Sequence, residues 1–359
     1  MKNKFKFLTL TLLILLTQSS LAASYVQGTG SEGHSQEVVA VGISFTDKNG
    51  VEHKNEAGDP TKPTEKFYDS AVGVANKASG RGSNAFGFLN KASGTKSTAF
   101  GFGNVASGQS SSGFGFGNKA NRAQSSAFGF GNEADGALSS AFGYYNESIG
   151  FESSAFGKNN KSSGTKSSAF GFGNKSIGHR TSAFGTLNEA SGVGSVSFGQ
   201  SNVASVGSSA AFGIVNEARA FRASAFGAEN EVSGEKSTAV GYGNKVSGNN
   251  SGAFGDPNKV TGHRSYAFGN DNTIAGDDNF VMGSNVNIGA GITNSVALGN
   301  NSAVTSSNEV SVGSATLKRK ITNVADGELS ATSTDAVTGR QLYNAMQNNV
   351  GTENLRAEV

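Results

Sequence analysis

Catalysis needs reactive groups that converge, so those residues come first. The chain holds four histidines, His34, His53, His179 and His263, far apart in sequence. It has no cysteine, which excludes disulfides and thiolate metal sites. No Ser/His/Asp grouping, phosphate-binding loop or metal-spaced histidine pair stands out. Asp277-Asp278 is an isolated acidic pair. Calcium wants about six or more oxygens, so the pair reads as a turn. The string G-F-G-N recurs at Gly101, Gly115, Gly129 and Gly171 and looks like a nucleotide loop. Such a loop needs a strand-to-helix setting, and recurrence marks a repeat instead. Lys318-Arg319-Lys320 is the one basic run, and the net charge is only +2. That balance excludes a strongly basic nucleic-acid binder, so the run reads as a solvated or inter-chain collar. The sequence therefore predicts no enzyme, and no catalytic, cofactor-binding or metal residue.

The elements behind these residues are set by a repeat. Ala71-Val72-Gly73 returns as Ala85-Phe86-Gly87, Ala99-Phe100-Gly101 and onward to Val281-Met282-Gly283. Sixteen copies follow one another at a fixed step of 14 residues. The middle residue is Phe86, Phe100, Phe114, Phe128, Phe142, Phe156, Phe170, Phe184, Phe198, Phe212, Phe226, Phe254 or Phe268. Val72, Val240 and Met282 are the exceptions. Five residues after the start of each of the first fifteen triplets stands an asparagine. These are Asn76, Asn90, Asn104, Asn118, Asn132, Asn146, Asn160, Asn174, Asn188, Asn202, Asn216, Asn230, Asn244, Asn258 and Asn272. In the first fifteen copies glycine stands nine after the start, replaced only by Arg122, Val206 and Ala220. The consensus is A-F-G-x-x-N-x-A-x-G-x-x-S-x.

A 14-residue unit is too short for a helical hairpin repeat, which needs about 33 residues. It holds two short strands and two turns. Asparagine and glycine are expected to mark the turns, because both tolerate left-handed backbone angles. Stacked units place parallel strands about 4.8 Å apart, giving a rod roughly 70 Å long. Equivalent residues then stack into a phenylalanine ladder, expected in the core, and an asparagine ladder at the turns. Within the long strand, side chains alternate between faces. Phenylalanine takes one face and alanine the other, and both faces are apolar or small. One narrow coil buries only one of them in itself, so the other face is expected to meet a second copy of the chain.

This pattern resembles the head of the trimeric autotransporter adhesins (YadA-like). Heads of that family carry repeats close to S-V-A-I-G-x-x-S-x-A-x-G. Here Ser97-Thr98-Ala99-Phe100-Gly101 and Asn104-Val105-Ala106-Ser107-Gly108 match them, with Phe for Ile and Asn for Ser. A second match begins at Asn308-Glu309-Val310-Ser311-Val312-Gly313-Ser314. It continues through Arg319-Lys320-Ile321-Thr322-Asn323-Val324-Ala325-Asp326-Gly327. Thr334-Asp335-Ala336-Val337-Thr338-Gly339-Arg340-Gln341-Leu342 then resembles the family's neck, which joins head to stalk. The resemblance implies an all-β, left-handed parallel β-roll of 14-residue coils, trimeric, followed by a neck and the start of a coiled-coil stalk. The organisation expected is signal peptide 1–22, N-terminal cap 23–70, head 71–310, neck 311–340 and stalk start 341–359. Thr334 is expected to cap the stalk helix with Asp335 in its first turn. Leu342, Ala345, Met346 and Val350 give that helix its apolar stripe. The family's membrane anchor does not appear before Val359, leaving a truncated record, a truncated gene or a released product.

The N-terminus reads as a secretory signal, with Lys2, Lys4 and Lys6 before a short apolar run and cleavage after Ala22. Ala40-Val41-Gly42 is a triplet of the repeat type, 31 residues before Ala71. It predicts a first coil with a 17-residue insert, in which Pro60 and Pro63 suit an exposed loop. A turn is expected over Asp47-Lys48-Asn49-Gly50, and the segment Val51–Lys66 is a candidate binding loop or a capping element. Beyond Gly283 the step slips by two residues to Ala297-Leu298-Gly299.

The function this implies is a cell-surface adhesin head in a Gram-negative outer membrane, or a released one. Its expected partners are two further copies of itself and host extracellular matrix, such as collagen, or host cells. The alternative is a self-associating surface protein that promotes autoaggregation or biofilm. Neither nucleic acid nor a cofactor is expected.

Overall fold

The computed structural model describes residues 25–27, 31–33, 39–43, 45–46, 50, 52–62 and 68–347. Each 14-residue unit forms one coil of a parallel β-solenoid. A five-residue strand such as Asn84–Phe88 is followed by a two-residue strand such as Lys91–Ala92. The long strands stack into one 20-stranded sheet and the short strands into a second. Pairing steps by one repeat, so like meets like. Ala85, Phe86 and Gly87 pair with Ala99, Phe100 and Gly101, and Ala92 pairs with Ala106.

The core is small and lies between the two sheets. Ala85 and Ala99 from the long strands and Ala92 and Ala106 from the short strands are wholly buried. Towards the C-terminal end the filling grows, with Val232, Val246, Val260, Ile274 and Ile288 in place of alanine. This assigns the two faces of the long strand. Alanine points inward and phenylalanine outward. The phenylalanine ladder was expected in the core. Within one chain it is not, since Phe100 and Phe198 are each 53 % exposed. A coil closed by a five-residue and a two-residue strand has room inside for a methyl group or a branched aliphatic chain, not for a ring.

Asparagine stands at the turn between the long and short strands, as expected, but does not itself take the left-handed angle. The left-handed residue is the one before it: Ala75 (φ 55°), Leu89 (56°), Tyr145 (51°) and Val215 (55°). The asparagine itself is buried and bonds to the coils on either side. Glycine is needed at two places for a different reason. Gly87, third in its triplet, has φ +116°, and a Cβ there would lie 2.1 Å from the Gly101 carbonyl oxygen. Gly94 has no unusual angle, yet its Cβ would lie 1.9 Å from the carbonyl oxygen of Gly108. Coil-to-coil approach, not turn geometry, selects glycine there.

The first coils differ from the rest. Ala40, Val41 and Gly42 pair with Ala71, Val72 and Gly73, so the expected first triplet is in the sheet. Tyr25–Gln27 adds a coil before it, pairing Val26 with Ala40. The insert is two pieces, not one loop. Asn55 and Ala57 occupy the asparagine and short-strand positions and are buried. Asn55 follows Ala40 by 15 residues where the repeat has 5, and Ala71 follows Asn55 by 16 where the repeat has 9. The first piece carries an antiparallel pair, Phe45–Thr46 with Glu52–His53, bracketing the expected turn. Lys48 and its neighbours 47 and 49 lie outside the described residues, as do Pro63 and the signal segment. Pro60, in the second piece, is exposed. At the other end, Val281 pairs with Ala297 across the expected two-residue slip. The extra residues fall between Ile288, still in register with Ile274, and Ser295, whose N–H meets Asn279.

After the last coil the chain is irregular until a helix at 339–347. Thr338 and Gln341 start that helix, not Thr334. The Gln341 N–H donates to Thr338 Oγ1 (3.3 Å) and the Thr338 N–H donates to Gln341 Oε1 (3.1 Å). This reciprocal pair satisfies two end groups that a helix leaves open. Asp335 instead accepts from the Glu328 N–H (3.0 Å). Val350, the last residue of the expected stripe, lies outside the described residues.

Candidate functional site

The repeat places its side chains in columns, and each column is a potential surface or strut. The inner strut is asparagine. Asn90 Nδ2 donates to Asn76 Oδ1 (3.0 Å) and to the carbonyls of Phe86 (2.8 Å) and Gly101 (2.6 Å). Its Oδ1 accepts the N–H of Asn104 (3.0 Å). The same pattern repeats down to Asn244. Asn258 and Asn272 keep the bond to the preceding asparagine. An asparagine has the donors and acceptor to bridge three coils at once, which a serine hydroxyl lacks.

A serine column runs beside it, with Ser83, Ser97 and Ser111 buried. Asp69 stands at its head. Asp69 Oδ1 accepts the N–H (2.6 Å) and hydroxyl (2.9 Å) of Ser83. Its Oδ2 is buried without a partner. Burial pushes this carboxyl up to about 6, against the opposing pull of Ser83. Nothing in the repeat pattern signalled it, because position 69 precedes the first regular triplet.

The outward face of the long sheet carries two aromatic columns. In the first, rings stack face to face from Phe114 to Phe170, with centroids 4.7 to 4.8 Å apart. It tilts at Phe86–Phe100 and Phe184–Phe198, each 6.3 Å apart. Phe254 and Phe268 stack at 4.6 Å beyond the break at Val240. The second column, two residues on, runs Phe88, Phe102, Phe116, Phe130 and Tyr144. Lys158 interrupts it. Its ammonium lies 5.4 Å from the Tyr144 ring and 5.7 Å from the Phe172 ring, so a cation continues the stack. Sequence reading missed this insertion, though the break in aromatic spacing at 158 was the signal. Both columns are partly exposed, and no segment of the described chain covers them.

The remaining reactive residues sit apart. His179 is exposed in a turn. His263 Nδ1 accepts the N–H of Asn249 (2.9 Å), and Asp277 accepts the N–H of His263 (2.8 Å). Asp278 binds Arg264 in two places, at 2.6 and 2.8 Å. The acidic pair is thus part of a turn column that ties coils together. His34 lies outside the described residues. Among the described residues no three His, Asp or Glu side chains gather as metal ligands. No helix among them is long and apolar enough to cross a membrane. In the basic run, Arg319 turns back onto the last coils. It donates to the Asn300 carbonyl (2.6 Å), the Val312 carbonyl (2.8 Å) and Ser302 Oγ (3.1 Å). The segment after the last coil, where a neck was expected, leaves large apolar side chains uncovered, Ile321 at 70 % and Leu329 at 69 % exposure among them.

Two family models match the sequence. The YadA head domain repeat matches residues 78–104, 106–132, 148–174, 176–202, 218–244 and 233–256. The coiled stalk of trimeric autotransporter adhesin matches residues 320–359. Between them they take in more than half of the chain. No curated protein matches. Among solved structures, the collagen-binding domain of the Yersinia adhesin YadA is similar at 21 % identity, over 69 % of this chain and 87 % of that one, with a TM-score of 0.18. The repeat, the coil that it builds and both family models agree: the chain belongs to the YadA-like trimeric autotransporter adhesins and carries an adhesin head and stalk sequence.

Proposed function

We propose that three copies of this chain pack with their aromatic columns turned to a common axis, and that the resulting rod is an exported surface adhesin. The observation that carries the assembly is the uncovered apolar surface. Phe100, Phe198 and the neck residues Ile321 and Leu329 are all more than half exposed in a single chain. Burying them recovers on the order of 25 cal/mol per Å² of apolar area. Continuous apolar exposure of this kind marks an interaction site in a folded protein. Placing the phenylalanine ladder there makes it the core of the assembly, while alanine remains the core of each coil. On this reading residues 1–22 direct export and the 341–359 segment starts the stalk.

The target proposed for the outer surface is host extracellular matrix, collagen in particular. Family membership and the repetitive rod support it. Identical sites recurring at each coil and in each copy let weak contacts add through avidity. The test has two readouts. Light scattering on the purified chain is expected to give the mass of three chains. A monomer mass would overturn the assembly. Binding to immobilised collagen is expected to be lost in the monomeric variant Phe142→Glu/Phe156→Glu. Equal binding by that variant would overturn the role of the assembled rod. Absence of wild-type binding would overturn collagen as the target.

A further inference from the structure

The outward position of the short strands carries an ordered charge pattern. One residue per coil occupies it, in register from Glu32 through Asn287 among the described residues, and the fourteen positions from Glu56 to Lys245 carry the order. After Glu56 come Lys77, Lys91, Val105 and Lys119. Glu133 and Glu147 follow, then Lys161 and Lys175. Glu189, Val203, Glu217 and Glu231 precede Lys245. None of these side chains is buried.

The pattern is antisymmetric about its midpoint, between Glu147 and Lys161. Counting outward, Glu147 answers Lys161 and Glu133 answers Lys175. Lys119 answers Glu189, and the neutral Val105 answers the neutral Val203. Lys91 answers Glu217, Lys77 answers Glu231, and Glu56 answers Lys245. Each of these fourteen positions is matched by its opposite sign, or neutral by neutral; one step further out Glu32 answers Lys259, and the uncharged Thr273 and Asn287 lie beyond the matched span. The neighbouring turn column, with Lys96, Ser110, Gln124, Leu138, Glu152 and Lys166, has no such order.

The arrangement costs the isolated chain stability. Lys77 stacks on Lys91, Glu133 on Glu147, Lys161 on Lys175 and Glu217 on Glu231. Like charges on adjacent strands repel. Alternating signs would satisfy a single rod better. Ion pairs along the column form only where the sign changes, as at Lys161–Glu147 (2.6 Å) and Lys245–Glu231 (3.5 Å). Runs of one sign are satisfied by a partner that carries the opposite runs.

We infer that this face docks a second copy of the same face, with the two rods antiparallel about a two-fold axis between Glu147 and Lys161. In that register every lysine of one rod faces a glutamate of the other, and Val105 faces Val203. A two-fold contact is self-complementary by construction, and this column has the required symmetry. Single exposed ion pairs are weak. Repeated at the coil spacing they add into a zipper that salt dissolves. The contact lies on the opposite side of the coil from the aromatic columns, so it joins assembled heads and does not compete with their assembly. It rests on the proposed surface role and gives the self-associating alternative a defined interface.

Sedimentation velocity across a salt series tests it. At about 25 mM salt the wild-type chain is expected to grow with concentration beyond the mass of the basic assembly, because each of its three copies offers the same face, and at about 500 mM to return to it. The high-salt mass reads the basic assembly separately, so failure of the three-chain reading is distinguishable from failure of the zipper. The variant Glu133→Lys/Glu147→Lys and the variant Lys161→Glu/Lys175→Glu are each expected to self-associate at least about tenfold more weakly. Mixed together they are expected to associate with each other, because their central runs are now opposite. The chain carrying all four changes restores antisymmetry and is expected to self-associate like the wild type. A wild type that never exceeds the basic assembly overturns the inference. So do pairs of variants that fail to rescue one another while each keeps its own high-salt mass.

Discussion

Asn104 Nδ2 lies 3.0 Å from Asn90 Oδ1 and 2.6 Å from the Gly115 carbonyl, so one amide ties its own coil to the coil above and the coil below. The left-handed residue just before each asparagine from Asn76 to Asn244 is held in place by this tie. That explains why Val215, a β-branched residue, sits at φ 55° without glycine's freedom.

Replacing Asn118 by alanine tests the strut. The Asn132 N–H and the carbonyls of Phe114 and Gly129 would lose their partners. Each buried orphan costs about 1–3 kcal/mol, so a loss of roughly 3–5 kcal/mol is expected. In a solenoid the damage stays near its neighbours. Amide exchange is expected to accelerate at Asn132 and adjacent coils and to stay slow near Asn244. Uniformly unchanged exchange would remove the asparagine ladder as the main strut.

The close-approach glycines separate space from backbone angle. Gly129 has φ +117° and a Cβ there would lie 2.1 Å from the Gly143 oxygen, so Gly129→Ala is expected to cost about 3 kcal/mol or more. Gly117 has φ +65° with nothing within 4 Å. Its place is filled by Leu89, Tyr145 and Leu187 in other coils, all with positive φ. Gly117→Asn is therefore expected to change stability by less than about 0.5 kcal/mol. Chemical denaturation of the two variants measures the contrast.

The period of 14 made the coil, its parallel register and the first triplet at Ala40 legible in the sequence. A two-strand coil follows from unit length alone. Which face is inside did not follow, because alanine and phenylalanine are both apolar. Only the closing radius of the coil decides that the methyl goes in and the ring goes out. Asparagine and the glycine nine residues on do stand at the turns, as expected, but not for the left-handed angle that was expected to select them. Both types are common at turns, and turn propensity hides a residue chosen for contact between coils. Asp69, Lys158 and Thr338 were missed because each breaks or precedes the pattern that revealed the rest.

Asp69 predicts a pH response at the N-terminal end of the roll. Its carboxyl is raised to about 6 from an unfolded value of 3.8. The folded state therefore holds the proton more tightly than the unfolded chain. The stabilising effect is fully present below about pH 4 and is lost as pH rises through 6. Asp69→Asn removes the charge and is expected to stabilise the first coils at pH 7 by on the order of 2 kcal/mol. It should change little at pH 4. Limited proteolysis of the 52–62 region at the two pH values reads the difference. Equal protection of wild type and variant at pH 7 would sink the assignment.

Arg319 predicts how the roll is joined to the segment that follows it. Its guanidinium reaches Asn300, Ser302 and Val312, three acceptors at the open lower edge of the roll. Those groups have no further coil to bond, so the arginine takes the place of the next strand. The site is exposed, which limits the effect of Arg319→Ala to about 1–2 kcal/mol. The change is expected to fray the last coil and open the 313–320 segment to protease, with the coils around Asn174 unaffected. Arg319→Lys should not rescue it, because an ammonium lacks the planar fork that serves three acceptors at once. Full rescue by lysine would show that charge at the collar matters and that the fork does not.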